Sequence, residues 1–363
     1  MDMDNEPFFS IITPCCDVAP FLRASLDSIR NQDFTDWECI LGVETSKDDS
    51  LEIAREYEKA DPRFRVFTGE RSGSCSATRN TGLDMARGKY VMFVDGDDTI
   101  AEGSLKRIHD KIAAHPGCDL YPCAIRVFNK STDKEEPLRD NYPADFSEEL
   151  TGPKATVMLE KLNYYPCPML QMTVSSRKFL TDNGLKCIYG LRQQDSEFTT
   201  RALYLAKRVF PIHEPFYNYL IHTASVTGAR GSMGRFHKDF AVILGSIFAF
   251  HAKVSREPGF DRAVAQSWAK TWISTLFIKW FSRDYVRNVP RAERLETLEK
   301  MFAGGFGDFD LLLAAGSRAK RLAGWWAKAF VRHPSLRRAA ELFFIYVYFP
   351  LAEGKNGRRP CSR

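Results

Sequence analysis

Short apolar runs alternate with amphipathic stretches through the first 128 residues of the chain. Apolar runs of four to eight residues between turn formers predict buried strands, and apolar residues three or four apart predict helices that face a core. The alternation of the two predicts βαβ units and a mostly parallel sheet. The predicted strands are 8–13, 37–43, 63–67, 90–94 and 119–128, and the predicted helices are 20–31, 51–60, 74–86 and 104–114.

The pattern changes after residue 128. Residues 129–150 are polar and charged, which is typical of an exposed loop or of a small hairpin, and residues 151–230 return to mixed strand and helix. From about residue 236 the apolar residues follow a helical period, with one stripe at 240–248 and a second at 268–280. Aromatic stripes at helical spacing are usually core, so we interpret these as the packing faces of a helical C-terminal region.

A length of 363 residues favours two domains, and we predict them at 1–230 and 231–363. Charge is distributed unevenly between the two. The first carries a net charge of −7 and the second +12. In the second, basic residues flank the apolar, aromatic segment 342–351, which is about half the ~20 residues needed to cross a bilayer. This combination suits an interfacial helix against anionic lipid, and the alternative is a terminal helix docked on the protein's own core. No recognised motif supports nucleic acid as a partner.

The cysteines and the first residues favour a reducing compartment. The nine cysteines lack the double-pair spacing of zinc sites, and the seven histidines lack paired spacing. The chain opens with the acidic segment MDMDNE, so no signal peptide is predicted. We therefore expect a cytoplasmic protein, and the basic C-terminal region raises the hypothesis of peripheral contact with the inner face of the cell membrane.

The most informative segment is 90–98, which reads YVMFVDGDD. An apolar strand delivers Asp95, Asp97 and Asp98 to one short stretch, where their charges repel unless a cation neutralises them. Oxygen ligands favour Mg²⁺ or Mn²⁺, and these ions also bind diphosphates. The segment predicts a metal-held phosphate ester at the carboxyl end of a strand, where α/β sheets bind ligands. The alternative is a plain Asp-rich turn.

Three further segments lie at the carboxyl edge of the predicted sheet, either at the end of a predicted strand or at the start of a predicted helix. They are SIITP at 10–14, VETSKDDS at 43–50 and GSCSATRNTG at 73–82. Together with the acidic run, their order and spacing resemble the nucleotide-sugar-binding half of family 2 glycosyltransferases, which adopt the GT-A fold. The resemblance covers residues 8–128. It implies a nucleotide-binding half at 1–128, an acceptor half at 129–230, and a Rossmann-like sheet.

The resemblance implies roles for the three aspartates. Asp97 would ligate the divalent metal, Mn²⁺ or Mg²⁺, that bridges the diphosphate of the donor. Asp95 would bind the ribose or the sugar nearby. Asp98 would support the donor sugar or the ligands around the metal.

The resemblance also implies a donor pocket around the first two strands. Glu44 stands where the family has an Asp that accepts a hydrogen bond from uracil N3–H, and Thr13 and Pro14 would line the base pocket. Arg79 would help the acidic loop and the diphosphate. The alternative for Arg79 is a structural arginine that holds the Asp95 loop by a salt bridge.

The chain departs from the family pattern at two places. The family commonly has an aromatic residue two positions after the proline, followed by Asn, and here these positions are Cys16 and Asp17. The frequent Asp-Asp-Gly-Ser after the second strand is VETS at 43–46. Loss of the aromatic ring weakens the argument for base stacking and leaves the identity of the base open.

A second part of the resemblance lies at 190–198, GLRQQDSEF, where the family has a Glu-Asp pair and a Phe that open a helix below the acceptor site. Here the pair is Gln194 and Asp195, which implies that Asp195 is the general base of an inverting transfer. The alternative is a helix N-terminal acid that interacts with the dipole. His213 and His222, in the family's closing segment, are weaker candidates for contact with the metal or the diphosphate.

These features predict an inverting, metal-dependent transfer of sugar from a nucleotide-sugar, UDP-sugar in the first instance, to a glycan or lipid-linked acceptor in bacterial envelope polysaccharide synthesis. One alternative is a catalytically silent nucleotide-sugar-binding protein, which would not need Asp95, Asp97 and Asp195. Another is a nucleotidyltransferase, which is disfavoured because segment 14–17, PCCD, lacks the Gly and Lys of a triphosphate loop. Met169, Gln171 and Met172 are candidates for the sugar pocket.

Overall fold

A computed structural model describes residues 6–129, 134–136, 147–161, 170–222, 233–268, 290–293 and 296 of the protein. The chain divides into two compact units, Met1–Gly231 and Ser232–Arg363. The first unit contains all the strands found in the described part of the chain. The described residues of the second unit are largely helical.

The first unit alternates strands and helices up to residue 129 and then changes to a mixed order. Its strands are β1 (Phe9–Cys15), β2 (Trp37–Glu44), β3 (Phe64–Gly69), β4 (Tyr90–Phe93), β5 (Thr99–Ile100), β6 (Leu120–Asn129), β7 (Lys134–Glu136), β8 (Thr173–Ser176) and β9 (Ile212–Ile221). Its helices are α1 (Ala19–Arg30), α2 (Ser50–Ala60), α3 (Ser76–Met85), α4 (Ser104–Ala114), α5 (Gly152–Lys161), α6 (Arg177–Asp182) and α7 (Gln194–Leu205), and Leu170–Met172 form a 3₁₀ turn.

The described strands form one sheet in the order β3-β2-β1-β4-β8-β6-β9-β5, with β7 paired to β6. Strands β1 to β4 are parallel to their neighbours in this group, as the sequence predicts. The pairings of β8 with β4 and with β6 are antiparallel, and so are those of β5 and β7. The prediction of a mostly parallel sheet therefore holds for β3-β2-β1-β4, and the rest of the sheet is mixed, because β8, β5 and β7 pair in the antiparallel sense whereas β6 and β9 are parallel.

Burial explains why the first strands have such a strong sequence signal. Every residue of β1 and of β2 is buried, as expected where helices cover both faces of a parallel sheet. Helix α1 packs a stripe that includes Leu22, Leu26 and Ile29 against this layer, and it has a proline in its first turn, where the missing N–H costs nothing. Periodicity alone is sufficient to predict these elements within a few residues of their ends.

Helix α3 lies unusually close to the sheet. A Cβ atom on Gly42 would overlap Cγ2 of Thr78, and a Cβ atom on Gly82 would lie 2.5 Å from Cγ2 of Ile12. Since real Cβ atoms do not approach this closely, the two glycines are required for the helix to rest on β1 and β2. The close packing brings the first turns of α3 to the carboxyl ends of the strands.

Other predictions have mixed outcomes. The stretch 129–150 contains β7, which pairs with β6 as a small hairpin. The two-residue strand β5 was not predicted, because so short a segment has no periodicity. In the second unit, helices α8 (Met233–Val254) and α9 (Arg262–Trp268) carry the buried residues Ile243, Leu244, Ile247 and Trp268 of the predicted stripes.

The second apolar stripe beyond residue 268 and the basic-flanked segment 342–351 lie outside the described residues. In the part of the chain that the structure describes, no helix has both the length and the apolar content needed to span a bilayer.

The close approach of α3 is testable with a single methyl group. We expect Gly42→Ala to lower the free energy of unfolding by about 1–3 kcal/mol, because the added carbon must displace Thr78 or the ring of Phe67. The matched control is Gly69→Ala on the neighbouring strand, where an added Cβ meets nothing and the change should stay within about 0.5 kcal/mol. Urea unfolding of both variants measures the difference, and equal midpoints would contradict the packing argument.

Candidate functional site

The acidic segment follows β4 at the carboxyl edge of the parallel strands. The backbone continues the pairing of β4 with β1, since Val94 N donates to Ile12 O at 3.0 Å and Gly96 N donates to Pro14 O at 3.2 Å. The segment is thus held by the end of β1. Its three carboxylates nevertheless have different surroundings, and the differences determine what each can do.

Asp98 is a buried structural group. It is 1% exposed, and its two oxygens accept hydrogen bonds from the hydroxyl of Tyr217 and from Leu220 N. Burial, followed by the charges of Asp97 and Asp95, raises its pKa well above the usual value. In this structure both oxygens of Asp98 face β9, and its support of the donor sugar or of the ligands around the metal stays a prediction.

Tyr217 ties β9 to the acidic segment at two points. Its hydroxyl donates to Asp98 and accepts a hydrogen bond of 3.2 Å from Asp95 N. The side chain is completely buried, so the hydroxyl of Tyr217 connects β9 to the acidic segment inside the protein.

Asp97 keeps part of its carboxylate accessible. Its side chain is 23% exposed, and Oδ2 lies 2.9 Å from Nε2 of His222, whose ring packs at 4.2 Å from that of Phe21. Burial raises the pKa of Asp97, and the nearby charge of Asp95 raises it further, while the hydrogen bond with His222 lowers it. The negative charge at this corner is thus only partly compensated.

A divalent cation fits this donor set. Mg²⁺ and similar ions are usually held by one or two carboxylates together with substrate phosphates, and not by a cage of protein ligands. Within the described ranges, no group of three or more His, Cys, Asp or Glu side chains converges as a complete cage. A partly accessible Asp97 beside Asp95, with a pKa raised by burial and then by the charge of Asp95, has the chemistry expected of the protein's share of such a site.

Asp95 is paired with the buried arginine of α3. Nη2 of Arg79 lies 2.5 Å from Asp95 Oδ1, and Nε2 of Gln171 donates to Asp95 Oδ2 at 2.7 Å. Arg79 is only 2% exposed. Burial opposes its charge, but the attraction of Asp95 outweighs this and raises the pKa of Arg79 well above its usual value. The structure places Arg79 as the tether of the Asp95 loop, which is the alternative weighed above, and leaves it little surface for a diphosphate.

Arg79 also contacts the beginning of α7. In the amide orientation that satisfies its neighbours, Gln194 accepts a hydrogen bond from Arg79 Nη1 at 2.7 Å and donates to Leu191 O at 2.6 Å. Gln193, just before the helix, adopts a left-handed conformation with φ of 55°. One guanidinium therefore joins the acidic segment to the helix that carries Asp195.

Asp195 lies in the first turn of α7 and is partly exposed. Burial raises the pKa of its carboxyl and the charge of Asp95 adds to this, whereas Arg79 and the N–H of Ser196 lower it. A partly exposed carboxylate with a raised pKa has the properties of a general base.

The three residues of the predicted donor pocket around the first two strands, Glu44, Thr13 and Pro14, are all buried. Glu44 is 6% exposed, and its carboxylate accepts hydrogen bonds from Ser72 N at 3.0 Å, from the Ser72 hydroxyl at 2.6 Å and from the Thr78 hydroxyl at 3.1 Å. Thr13 is completely buried and its hydroxyl lies 3.8 Å from Cys39 Sγ, and its place in the lining of the base pocket stays a prediction. Pro14 is also buried, at the end of β1.

The departure at Asp17 has a backbone explanation. Asp17 has φ of 53°, a region that Asn and Asp enter more readily than other non-glycine residues. Its carboxylate accepts a hydrogen bond from Lys47 N at 2.6 Å and pairs with Arg71 at 2.6 Å. Asp17 thus suits the left-handed conformation at this position and adds an ion pair with Arg71.

Sequence reasoning assigned no role to Tyr217 and only a general one to Gln171. Tyr217 lies in the segment that resembles the family's closing segment, but the sequence there predicts no function for its side chain. Gln171 has no comparable signal. The pairing of His222 with Asp97 follows only from the position of β9 in the sheet.

Residues 10–179 match the family described as Glycosyl transferase family 2. Among curated proteins, the chain is 31% identical over 228 residues to the uncharacterized glycosyltransferase EpsJ of Bacillus subtilis (strain 168), covering 61% of this chain and 63% of EpsJ. It is 33% identical over 106 residues to the GalNAc(5)-diNAcBac-PP-undecaprenol beta-1,3-glucosyltransferase of Campylobacter jejuni, covering 29% of this chain and 34% of that protein. The matched part of the chain therefore spans less than two thirds of these relatives.

Among solved structures, the chain resembles residues 1–349 of S. aureus TarS, crystallised in complex with UDP-GlcNAc. The TM-score is 0.71 at 18% sequence identity, over 97% of this chain and 93% of that one. This similarity concerns the fold, and it confirms the GT-A architecture that the sequence predicted.

The buried ion pair gives a stability prediction. We expect Arg79→Met to lower the free energy of unfolding by about 3 kcal/mol, because it leaves Asp95 without its counter-charge. The control is Arg23→Met, which removes an exposed pair with Glu56 and should leave the midpoint of urea unfolding almost unchanged, because solvent screens such a pair. Equal losses in urea unfolding would show that the Arg79–Asp95 pair does not support the fold.

Proposed function

Because residues 10–179 belong to glycosyl transferase family 2, we propose that this chain transfers a sugar from a nucleotide-sugar to a hydroxyl acceptor, with inversion at the anomeric carbon. The observation that carries the proposal is the link between two accessible carboxylate regions through one buried arginine. Arg79 contacts the segment that contains Asp97 and also Gln194 in the helix turn that carries Asp195. In this proposal residues 1–128 bind the donor and residues 129–230 bind the acceptor.

On the donor side, Asp97 is the residue that would hold a divalent metal, Mn²⁺ or Mg²⁺, with Asp95 beside it. Such a metal, when bound, neutralises the negative charge of a diphosphate leaving group. Arg79 keeps the Asp95 loop in place, and Asp98 with Tyr217 holds the same loop from the side of β9. The fold neighbour TarS was crystallised with UDP and with UDP-GlcNAc, so UDP-sugars are the first donors to test.

On the acceptor side, Asp195 takes the proton of the acceptor hydroxyl as its oxygen forms a bond to the anomeric carbon. The bond between that carbon and the diphosphate breaks on the opposite face of the sugar, so the configuration inverts and no covalent intermediate forms. The base must be ionised for this step. The contact of α7 with Arg79 supports ionisation, because the guanidinium lowers the pKa that burial raises.

The acceptor that we propose is a glycan, free or carried on a lipid, in the synthesis of an envelope polysaccharide. The C. jejuni relative is named for a polyprenyl-diphosphate acceptor, which supports this class. The net charge of +12 on residues 231–363 and the basic, aromatic segment near the C-terminus would hold a cytoplasmic enzyme at an anionic membrane face.

The catalytic assignment is tested by release of UDP. With Mn²⁺ and UDP-GlcNAc, UDP-glucose or UDP-galactose, we expect the unchanged protein to hydrolyse at least one donor slowly, with water as the acceptor. Asp195→Asn should lower this rate by about 10²–10⁴-fold, because the base is lost. Asp97→Asn should weaken activation by Mn²⁺ to a similar degree.

Asp110→Asn provides the matched control, because this exposed aspartate of α4 pairs with Lys106 away from the site. Its rate should equal that of the unchanged protein. If Asp97→Asn and Asp195→Asn both leave the rate unchanged, the assignment of roles is wrong. Tight binding of UDP-sugar without turnover under any condition would instead favour a catalytically silent binding protein.

Membrane contact is tested by sedimentation with vesicles that contain phosphatidylglycerol. We expect the full chain to bind them, and both removal of residues 325–363 and the double substitution Arg358→Glu, Arg359→Glu to reduce the bound fraction. The physical reason is attraction of about 1 kcal/mol for each basic residue near an anionic surface. Unchanged partition of both variants would mean that the basic C-terminal region does not bind lipid.

A further inference from the structure

The segment between α6 and α7 is anchored to α3. Its residues 185–193 connect the buried Leu185 to the start of the helix that carries Asp195. The Asn80 side chain accepts a hydrogen bond from Cys187 N and donates to Cys187 O, both at 2.8 Å. The Ser76 hydroxyl accepts a hydrogen bond from Gly190 N at 2.9 Å. Three hydrogen bonds thus fix the backbone on both sides of residue 189.

Tyr189 lies between these anchors and turns toward solvent. It is 70% exposed, and among the described residues the only other exposed large hydrophobic side chain is Val242. A Cβ atom built on the adjacent Gly190, which has φ of 76°, would meet no atom within 4 Å. This stretch therefore faces open space, and an aromatic ring is held out on a fixed backbone.

The backbone beside Tyr189 and the helix turn that carries the proposed base both contact the start of α3. The backbone N–H of Gly190 donates a hydrogen bond to Ser76. Cys75, which precedes Ser76 in the chain, has its sulfur 3.1 Å from the side-chain amide of Gln194. Gln194 directly precedes Asp195 in the first turn of α7. The same turn of α3 therefore contacts the backbone beside Tyr189 and the residue beside the base.

We propose that Tyr189 forms the floor of the acceptor subsite and that its ring packs against the apolar face of a hexopyranose unit of the acceptor glycan. This inference rests on the proposed function and deepens its acceptor side. A hexopyranose presents C–H groups on one face and hydroxyls at its rim, so it pairs with an exposed aromatic ring while its rim stays hydrated. A tyrosine on a fixed backbone loses little conformational entropy when it binds.

The acceptor is favoured over the donor for a positional reason. The donor side consists of the ends of β1, β2 and β4 with Asp95 and Asp97, whereas Tyr189 belongs to the segment that leads into α7. In this proposal the acceptor hydroxyl needs a proton acceptor, and a sugar bound to Tyr189 would present that hydroxyl to Asp195.

The experiment measures binding of methyl β-glycosides of glucose, galactose and N-acetylglucosamine by saturation-transfer NMR, with UDP and Mn²⁺ present. We expect at least one glycoside to bind the unchanged protein, Tyr189→Ala to weaken its affinity about tenfold, or ~1.4 kcal/mol, and Tyr189→Phe to retain it. Val242→Ala, the other exposed apolar side chain, serves as the control and should change nothing. Thermal unfolding verifies that all variants are folded.

UDP release from the donor distinguishes this proposal from the preceding one. Tyr189→Ala should leave the KM for the UDP-sugar within about twofold. The proposal is overturned if no glycoside binds the unchanged protein at tens of millimolar, or if Tyr189→Ala binds glycosides with unchanged affinity. It is also overturned if Tyr189→Phe loses as much glycoside affinity as Tyr189→Ala, or if Tyr189→Ala raises the donor KM instead. A protein that binds glycosides through Tyr189 but never releases UDP would contradict the transfer activity and not the acceptor subsite.

Discussion

The ion pair between Arg79 and Asp95 is the interaction on which the arrangement of the site depends. A guanidinium that is 2% exposed is costly to bury, and only a counter-charge with good geometry compensates that cost. Asp95 supplies it at 2.5 Å, and Gln194 accepts from the other terminal nitrogen. Because both terminal nitrogens are engaged, the loop after β4 and the start of α7 cannot move independently of α3.

The position of this arginine follows from the packing of α3. Gly42 and Gly82 remove the side chains that would hold the helix away from β1 and β2, so its first turns reach the edge where the parallel strands end. Strand β4 is also where the sheet changes character, because β8 pairs in the antiparallel sense with Tyr90 and Val91 of this strand. The site therefore forms where two differently built halves of one sheet meet, which is where α/β sheets generally bind ligands.

The three aspartates after β4 show how neighbouring carboxylates acquire separate roles. Asp98 is enclosed by β9 and holds the loop, Asp95 neutralises Arg79, and Asp97 retains accessible surface beside His222. Burial, and after it their mutual repulsion, raises the pKa of Asp97 and of Asp98, so their negative charge is only partly compensated. A cation shared with a diphosphate would compensate it further, which connects these electrostatics with the proposed chemistry.

The sequence by itself determined the helices of residues 8–128, the strands there other than β5, and the edge at which the acidic segment lies, because burial on both faces of a parallel sheet leaves a local pattern in the chain. The acidic run drew attention to Asp97, and the family resemblance drew attention to Arg79 and Asp195. Only the tertiary structure decided that Asp98 and Thr13 are enclosed and that β8 reverses the sheet. Their partners are distant in sequence: Tyr217 is 119 positions from Asp98, and Cys39 is 26 positions from Thr13. Whether a carboxylate faces solvent depends on which distant strand closes over it, and no short-range periodicity records that contact.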